Sequence, residues 1–97
     1  MAQKAREIVQ EIVKYVGDDD HGDWYAGIAK RPRKRLFDEH SVKKKKGKWI
    51  HRTAKSDKSA RKAEEALHRQ GFKGNSGGGD RKTTSVYAYK VTPSTIQ

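Results

Sequence analysis

The chain has 97 residues, the length of a single domain, and residues 1–97 are expected to form one. Charged residues make up 36% of it and hydrophobic residues 32%, so the core must be small and only patterned segments hold the chain away from disorder. There is no cysteine, which excludes a disulfide scaffold, a thiolate zinc site and a cysteine nucleophile; Lys plus Arg number 23 against 12 Asp plus Glu, a net charge of +11.

Residues 1–22 read as an N-terminal helix and an acidic loop. Ile8, Val9, Ile12, Val13 and Val16 recur on one helical face, Gly17 stops the helix, and Asp18 to Asp23 follow as a turn. That turn lacks the twelve-residue spacing and closing Glu of a calcium loop, so it reads as solvated. Trp24 to Ala29 is short, apolar and aromatic, a first strand interrupted by Gly27. A strand glycine marks a bulge or the close approach of another group. Pro32 suits a helix start, and a second helix is expected from Pro32 to His40 with Leu36 and Phe37 inward.

The run Lys43-Lys44-Lys45-Lys46-Gly47-Lys48 cannot pack and reads as a loop. Trp49 to Ala54 is a second strand, and Ser56 or Asp57 caps a third helix from Lys58 to Gln70, ended by Gly71. Gly74 to Asp80 reads as loop; its glycine run, Gly77 to Gly79, has no Lys-Ser/Thr after it and is not a phosphate loop. Val86 to Val91 is a third strand and residues 92–97 a tail. Three strands interleaved with three helices give an α/β (α+β) class, a small three-stranded sheet packed with helices, its strand order open. No stretch reaches membrane-spanning length and the N-terminus has no apolar leader core, so a soluble cytoplasmic protein is the default.

The charge is lopsided. From Lys30 to Lys73 there are 17 basic and 5 acidic residues, a balance of +12, and the remainder balances at −1. A concentrated basic block points to a polyanion, most often nucleic acid. Lys30, Arg31, Arg33 and Lys34 crowd the start of the second helix, Lys43, Lys44, Lys45, Lys46 and Lys48 fill the loop, and Arg52 and Arg61 extend the block. Guanidinium forks match phosphate oxygens.

One carboxylate breaks the apolar pattern. Ala60, Ala63 and Leu67 form the buried stripe of the third helix, and Glu64 falls on it or its edge, whereas Glu65 points away. A buried carboxylate is costly unless paired or bound to a cation. Glu64 either pairs with a basic neighbour or serves as a metal ligand or catalytic carboxylate. A single Mg²⁺ needs only one or two protein carboxylates, with phosphate and water completing its shell. His40, at the end of the second helix, is a general base or a structural cap.

Taken together, these residues resemble the GIY-YIG nuclease family. Tyr25-Ala26-Gly27 is similar to its YIG element, Arg35 follows at the spacing of its catalytic arginine, and His40 fits its R-L-x-x-H pattern with one extra residue. Glu64, in Ala60-Arg61-Lys62-Ala63-Glu64, resembles its A-x-x-x-E metal glutamate. The match spans about residues 24–67 plus the closing strand, within an expected core of 24–91. The chain also looks similar to a branch of small GIY-YIG-like proteins that carry WYAGIA, RLF, GGGD and VYAYK segments. It departs from the family ahead of Tyr25, where a helix end and an acidic loop stand in place of a Gly-Ile-Tyr strand; only Asn75 is a candidate for the late asparagine. The resemblance implies a divalent-metal-dependent endonuclease, on DNA rather than RNA. Arg35 would hold the scissile phosphate, Glu64 one Mg²⁺ or Mn²⁺, and Tyr25 would activate water, with His40 a further catalytic candidate. The alternatives are an inactive fold retained for nucleic-acid binding, or a phage- or plasmid-type effector that docks on an acidic protein. A homodimer sharing a core suits so small a chain.

Overall fold

The computed structural model describes residues 2–74 and 83–96. Asn75, Gly77 to Gly79 and Asp80 lie outside the described residues. Helix α1 runs Ala5–Val16 and buries Ile8, Ile12 and Val16, one residue per turn on one face. The Glu7 carboxylate accepts the Lys4 N–H at its start (3.0 Å), and Gly17, at φ 64°, ends it while donating to the Val13 carbonyl. A 3₁₀ turn, His21–Asp23, leads into strand β1, Trp24–Ala29. Here the acidic loop is structural: Asp19 accepts from Lys90 Nζ (3.0 Å) and Trp24 Nε1 (3.3 Å), and Asp20 caps Gly22.

After β1 the chain turns one α-helical turn, α2 (Pro32–Lys34), and continues as a π-helical turn, Arg35–Glu39. The sequence predicts a uniform helix to His40, and the difference has a local cause. The His40 N–H bonds to the Arg35 carbonyl five residues back (2.8 Å), so the wider turn absorbs one residue. Strand β2 is Trp49–Thr53, helix α3 is Asp57–Arg69 and strand β3 is Ser85–Lys90. The Ser56 hydroxyl caps α3 by accepting the Ser59 N–H (3.1 Å).

The sheet is antiparallel throughout, in the order β1-β3-β2, so the last strand is the central one. Three helices on a small antiparallel sheet make the α+β class the sequence predicts. Alternation along each strand sorts the side chains to two faces. Trp24, Ala26, Ile28, Ile50, Val86 and Ala88 join α1 and α3 in one core. Tyr25, Ala29, Tyr87 and Tyr89 face the other way and pack with Leu36 and Val42. Beyond the pairing with β3, Lys73 bridges the outer edge of β1, donating to the Trp24 carbonyl (2.8 Å) and accepting from Ala26 (2.9 Å). Among the described residues no helix is long and apolar enough to cross a membrane.

Candidate active site on the aromatic face

Gly27 organises the second face. It pairs in register with Tyr87 of β3, and a Cβ placed on it would lie 2.7 Å from the Tyr87 hydroxyl. The missing side chain therefore lets the Tyr87 phenol lie across β1. This is the close approach, rather than a bulge, of the two meanings that a strand glycine carries. The same register sets Tyr25 opposite Tyr89, and Tyr25 stacks on both Tyr89 (5.2 Å between centroids) and Tyr87 (6.3 Å).

The π turn brings His40 onto this cluster. Its Nε2 lies 2.8 Å from the Tyr87 hydroxyl, and its Nδ1 lies 2.6 Å from the Ile96 carbonyl. A carbonyl oxygen cannot donate, so Nδ1 carries the proton and Nε2 is left to accept the Tyr87 O–H. The Tyr89 hydroxyl donates to the same Ile96 carbonyl (3.2 Å) and sits 3.0 Å from Nδ1. Residues 92–96, read from sequence as a tail, fold back so that the Ile96 N–H donates to the His40 carbonyl (2.8 Å). Burial holds the His40 imidazole below the usual histidine range; the Ile96 carbonyl opposes this and the nearby Arg35 charge adds to it. A neutral imidazole whose Nε2 lone pair accepts the Tyr87 O–H is the result.

Arg35 completes the surroundings of the Tyr87 hydroxyl. Its guanidinium meets Glu39 at 3.2 Å on the exposed side of the turn, and its charge is near enough to the Tyr87 phenol to favour the ionised form against burial. The phenol itself is pushed well up, by burial first and then by the neighbouring Tyr25. It is a protonated hydroxyl at neutral pH.

Glu64 is buried at 4% exposure on the inner side of α3, beside Ala60, Ala63 and Leu67, and Glu65 is exposed. One turn further, His68 Nε2 meets the Ala26 carbonyl at the edge of β1 (2.9 Å), which draws this side of α3 toward Gly27. Burial raises the Glu64 carboxyl above the usual range, with the His68 and Arg61 charges acting the other way. Its negative charge is near enough to Tyr87 to raise that phenol as well. Among the described residues no three His, Cys, Asp or Glu side chains form a metal cluster. The donors at hand are a carboxylate and a phenol, hard oxygens that fit Mg²⁺ or Mn²⁺ if water and substrate oxygens complete the shell.

The structure thus brings Tyr25, Arg35 and His40 together on one face; Glu64 is buried on α3, which packs against the other face, and reaches the cluster through its charge on Tyr87. Tyr87, Tyr89 and the Ile96 carbonyl belong to the same cluster and are absent from the sequence-based candidates. The alternation of Tyr87 and Tyr89 in a strand was visible; their pairing opposite Gly27 and Tyr25 was not. The basic residues spread more widely. Lys30, Arg31, Arg33, Lys34, Lys43 to Lys46, Lys48 and Arg61 are exposed, whereas Arg52 is half-buried and committed to Glu11 at 2.8 Å. Compared with known proteins, the chain matches no family model, no curated protein and no solved structure.

Proposed function

We propose that the chain is a small, divalent-metal-dependent endonuclease of the GIY-YIG type that hydrolyses phosphodiesters in nucleic acid. One observation carries this reading: the Tyr87 hydroxyl, lying over Gly27, bonds His40 Nε2 at 2.8 Å within reach of the Arg35 charge. The phenol that the family carries ahead of its YIG element is here supplied from Ser85-Val86-Tyr87, which follows in the chain and is central in the sheet.

This geometry supports the following roles. Arg35 binds the scissile phosphate and offsets the charge that grows on its oxygens. A phenol this strongly protonated is not a standing base. It acts instead as a relay: the Tyr87 oxygen takes a proton from the attacking water while its own proton passes to His40 Nε2, 2.8 Å away. The water oxygen forms the new bond to phosphorus, the bond to the leaving oxygen breaks with its electron pair, and the proton held meanwhile on the imidazole is returned through solvent to that oxygen. The Ile96 carbonyl holds the other ring nitrogen protonated, so only one tautomer serves. Tyr25 packs on His40 at 4.8 Å and fixes the ring plane. Glu64 would hold the metal ion, which when bound supplies Lewis-acid polarisation of a phosphate oxygen. The exposed lysines supply the remaining attraction for the polyanion.

The test is plasmid nicking with Mg²⁺ or Mn²⁺, beside Glu64→Ala and an EDTA control. Cleavage lost in both is the expected result. Cleavage retained by Glu64→Ala overturns the metal assignment. No cleavage with a salt-sensitive gel shift would leave a nucleic-acid-binding module without chemistry.

A further inference from the structure

The aromatic face does not end at Tyr87 and Tyr89. One strand over, Trp49 of β2 is the register partner of Tyr89, and His51 is the partner of Tyr87. Adjacent strands lie ~4.8 Å apart, so these two rings flank the catalytic phenol at less than the span of one nucleotide. The planes of Trp49 and His51 lie within 5° of each other, with centroids 6.0 Å apart. A flat base therefore meets both rings at the same tilt. Phe37 braces Trp49 edge-on at 5.0 Å.

Positive charge is set against these rings. The Arg33 guanidinium stands 5.5 Å from Phe37 and 5.7 Å from Trp49, and the Lys44 ammonium stands 5.1 Å from Phe37. Both cations are exposed, and the three rings are half-buried. Arg33, Lys34, Phe37, Asp38 and Lys44 line a shallow depression beside them. Core filling explains Phe37 against Trp49. It does not explain two cations over the rings, nor an imidazole continuing the row.

Duplex nucleic acid hides its base faces in the stack and offers a protein phosphates and groove edges. An unpaired strand offers phosphates and open base faces together, the combination this patch matches. An acidic protein would use Arg33 and Lys44 but leave Trp49 and His51 without a role.

We propose that Trp49 and His51 form a subsite for one unpaired nucleobase next to the phosphate at Arg35 and Tyr87, with Arg33 and Lys44 on adjoining phosphates. The substrate class is then single-stranded nucleic acid, or a duplex carrying an unpaired stretch. The inference rests on the nucleic-acid reading above, not on its hydrolytic step.

The experiment is fluorescence anisotropy in EDTA, where cleavage is off, with labelled oligothymidylate, oligouridylate and a blunt duplex of equal length. Trp49→Ala should weaken single-strand binding ~5- to 150-fold, the factor equal to stacking one base on an aromatic ring, and leave the duplex nearly unchanged. His51→Ala, at a half-buried strand position, provides the same readout should Trp49→Ala fail to fold, and Trp49→Phe should keep most of the affinity. Wild-type affinity for the single strands in both alanine variants overturns the subsite, as does an equal loss on the duplex. The two readings separate cleanly. Ring-dependent binding without cleavage in Mg²⁺ removes the nuclease and keeps the subsite; cleavage with ring-independent binding does the reverse.

Discussion

The two faces of one sheet are built on different principles. Beneath α1 and α3, Ile8, Ile12, Leu67, Val86 and Ala88 exclude water, and polar atoms enter that side chiefly through Glu64 and the Trp24 indole. On the opposite face Tyr25, Tyr87, Tyr89 and His40 are buried almost as completely, yet each carries a hydroxyl or a ring nitrogen. Among the described residues every buried side-chain nitrogen or oxygen has a hydrogen-bond partner. A buried polar group stabilises little beyond its own desolvation cost. If packing alone were at stake, phenylalanine would fill that face as well. On the proposed reading the network serves what its hydroxyls do, and the aliphatic face the fold.

Crossed substitutions test that division. Tyr87→Phe keeps the ring over Gly27 and removes the hydroxyl that His40 Nε2 accepts. Cleavage should fall ~10²- to 10⁴-fold, the usual contribution of a proton-transfer group. Stability should fall by only ~1–3 kcal/mol, for the buried Nε2 left without that partner. Leu67→Ala does the opposite. It opens a cavity at a fully buried position and should cost ~2–5 kcal/mol of stability, while the folded fraction cleaves normally. Nicking rates and urea melts of both variants measure the comparison. Equal activity in Tyr87→Phe would make the aromatic face a second core and nothing more.

Most of the aliphatic face was legible in the sequence, and about half of the aromatic one. The stripe of Ile8, Ile12 and Val16, and that of Ala60, Ala63 and Leu67, repeat at helical spacing within one short segment. Glu64 stood out because it interrupts the second stripe, and Gly27 because it interrupts a strand. Tyr87 did not, because its position depends on pairing with Gly27, far away in the chain. Register is a tertiary property that no local pattern in either strand specifies. The π turn was hidden for another reason. The extra residue between Arg35 and His40 is readable, but whether it shifts the register or widens the turn depends on what the ring of His40 meets. The Ile96 contact is made by a backbone carbonyl, and backbone atoms are common to every residue.

The buried titratable groups sharpen the comparison through pH and metal. Burial depresses the His40 imidazole, so the unfolded chain takes up its proton first as pH falls. The stability held by the neutral ring is full above the unfolded value of about 6.5 and declines as pH drops toward the folded one. Glu64 runs the other way. Its folded value is raised above 4.5, so the favourable protonated form is full below 4.5 and is lost as pH rises through the folded value. In EDTA at neutral pH, Glu64→Gln should melt higher than the wild type, with the gap closing as pH falls. Adding Mg²⁺ should raise the melting temperature of the wild type and not of Glu64→Gln, by mass action on a site only the native state holds. Parallel responses in both proteins would detach Glu64 from any cation.

The smallest effect tests the finest part of the aromatic face. Ile96 acts through its backbone: its side chain is 58% exposed, its N–H holds the His40 carbonyl and its own carbonyl holds Nδ1. Ile96→Pro removes the donor and loosens the strap, at ~0.5–1.5 kcal/mol for one hydrogen bond. Some molecules then carry the proton on Nε2, where it faces the Tyr87 oxygen and blocks the relay. The rate should drop ~10-fold, the low end for loss of a group that orients a histidine. The acid limb of the pH–rate profile should move with it, since the carbonyl that favours the protonated ring no longer holds Nδ1. Ile96→Ala keeps the backbone and should change neither quantity. That pair separates the strap from the side chain, and an unaltered profile in Ile96→Pro would show that His40 holds its tautomer without it.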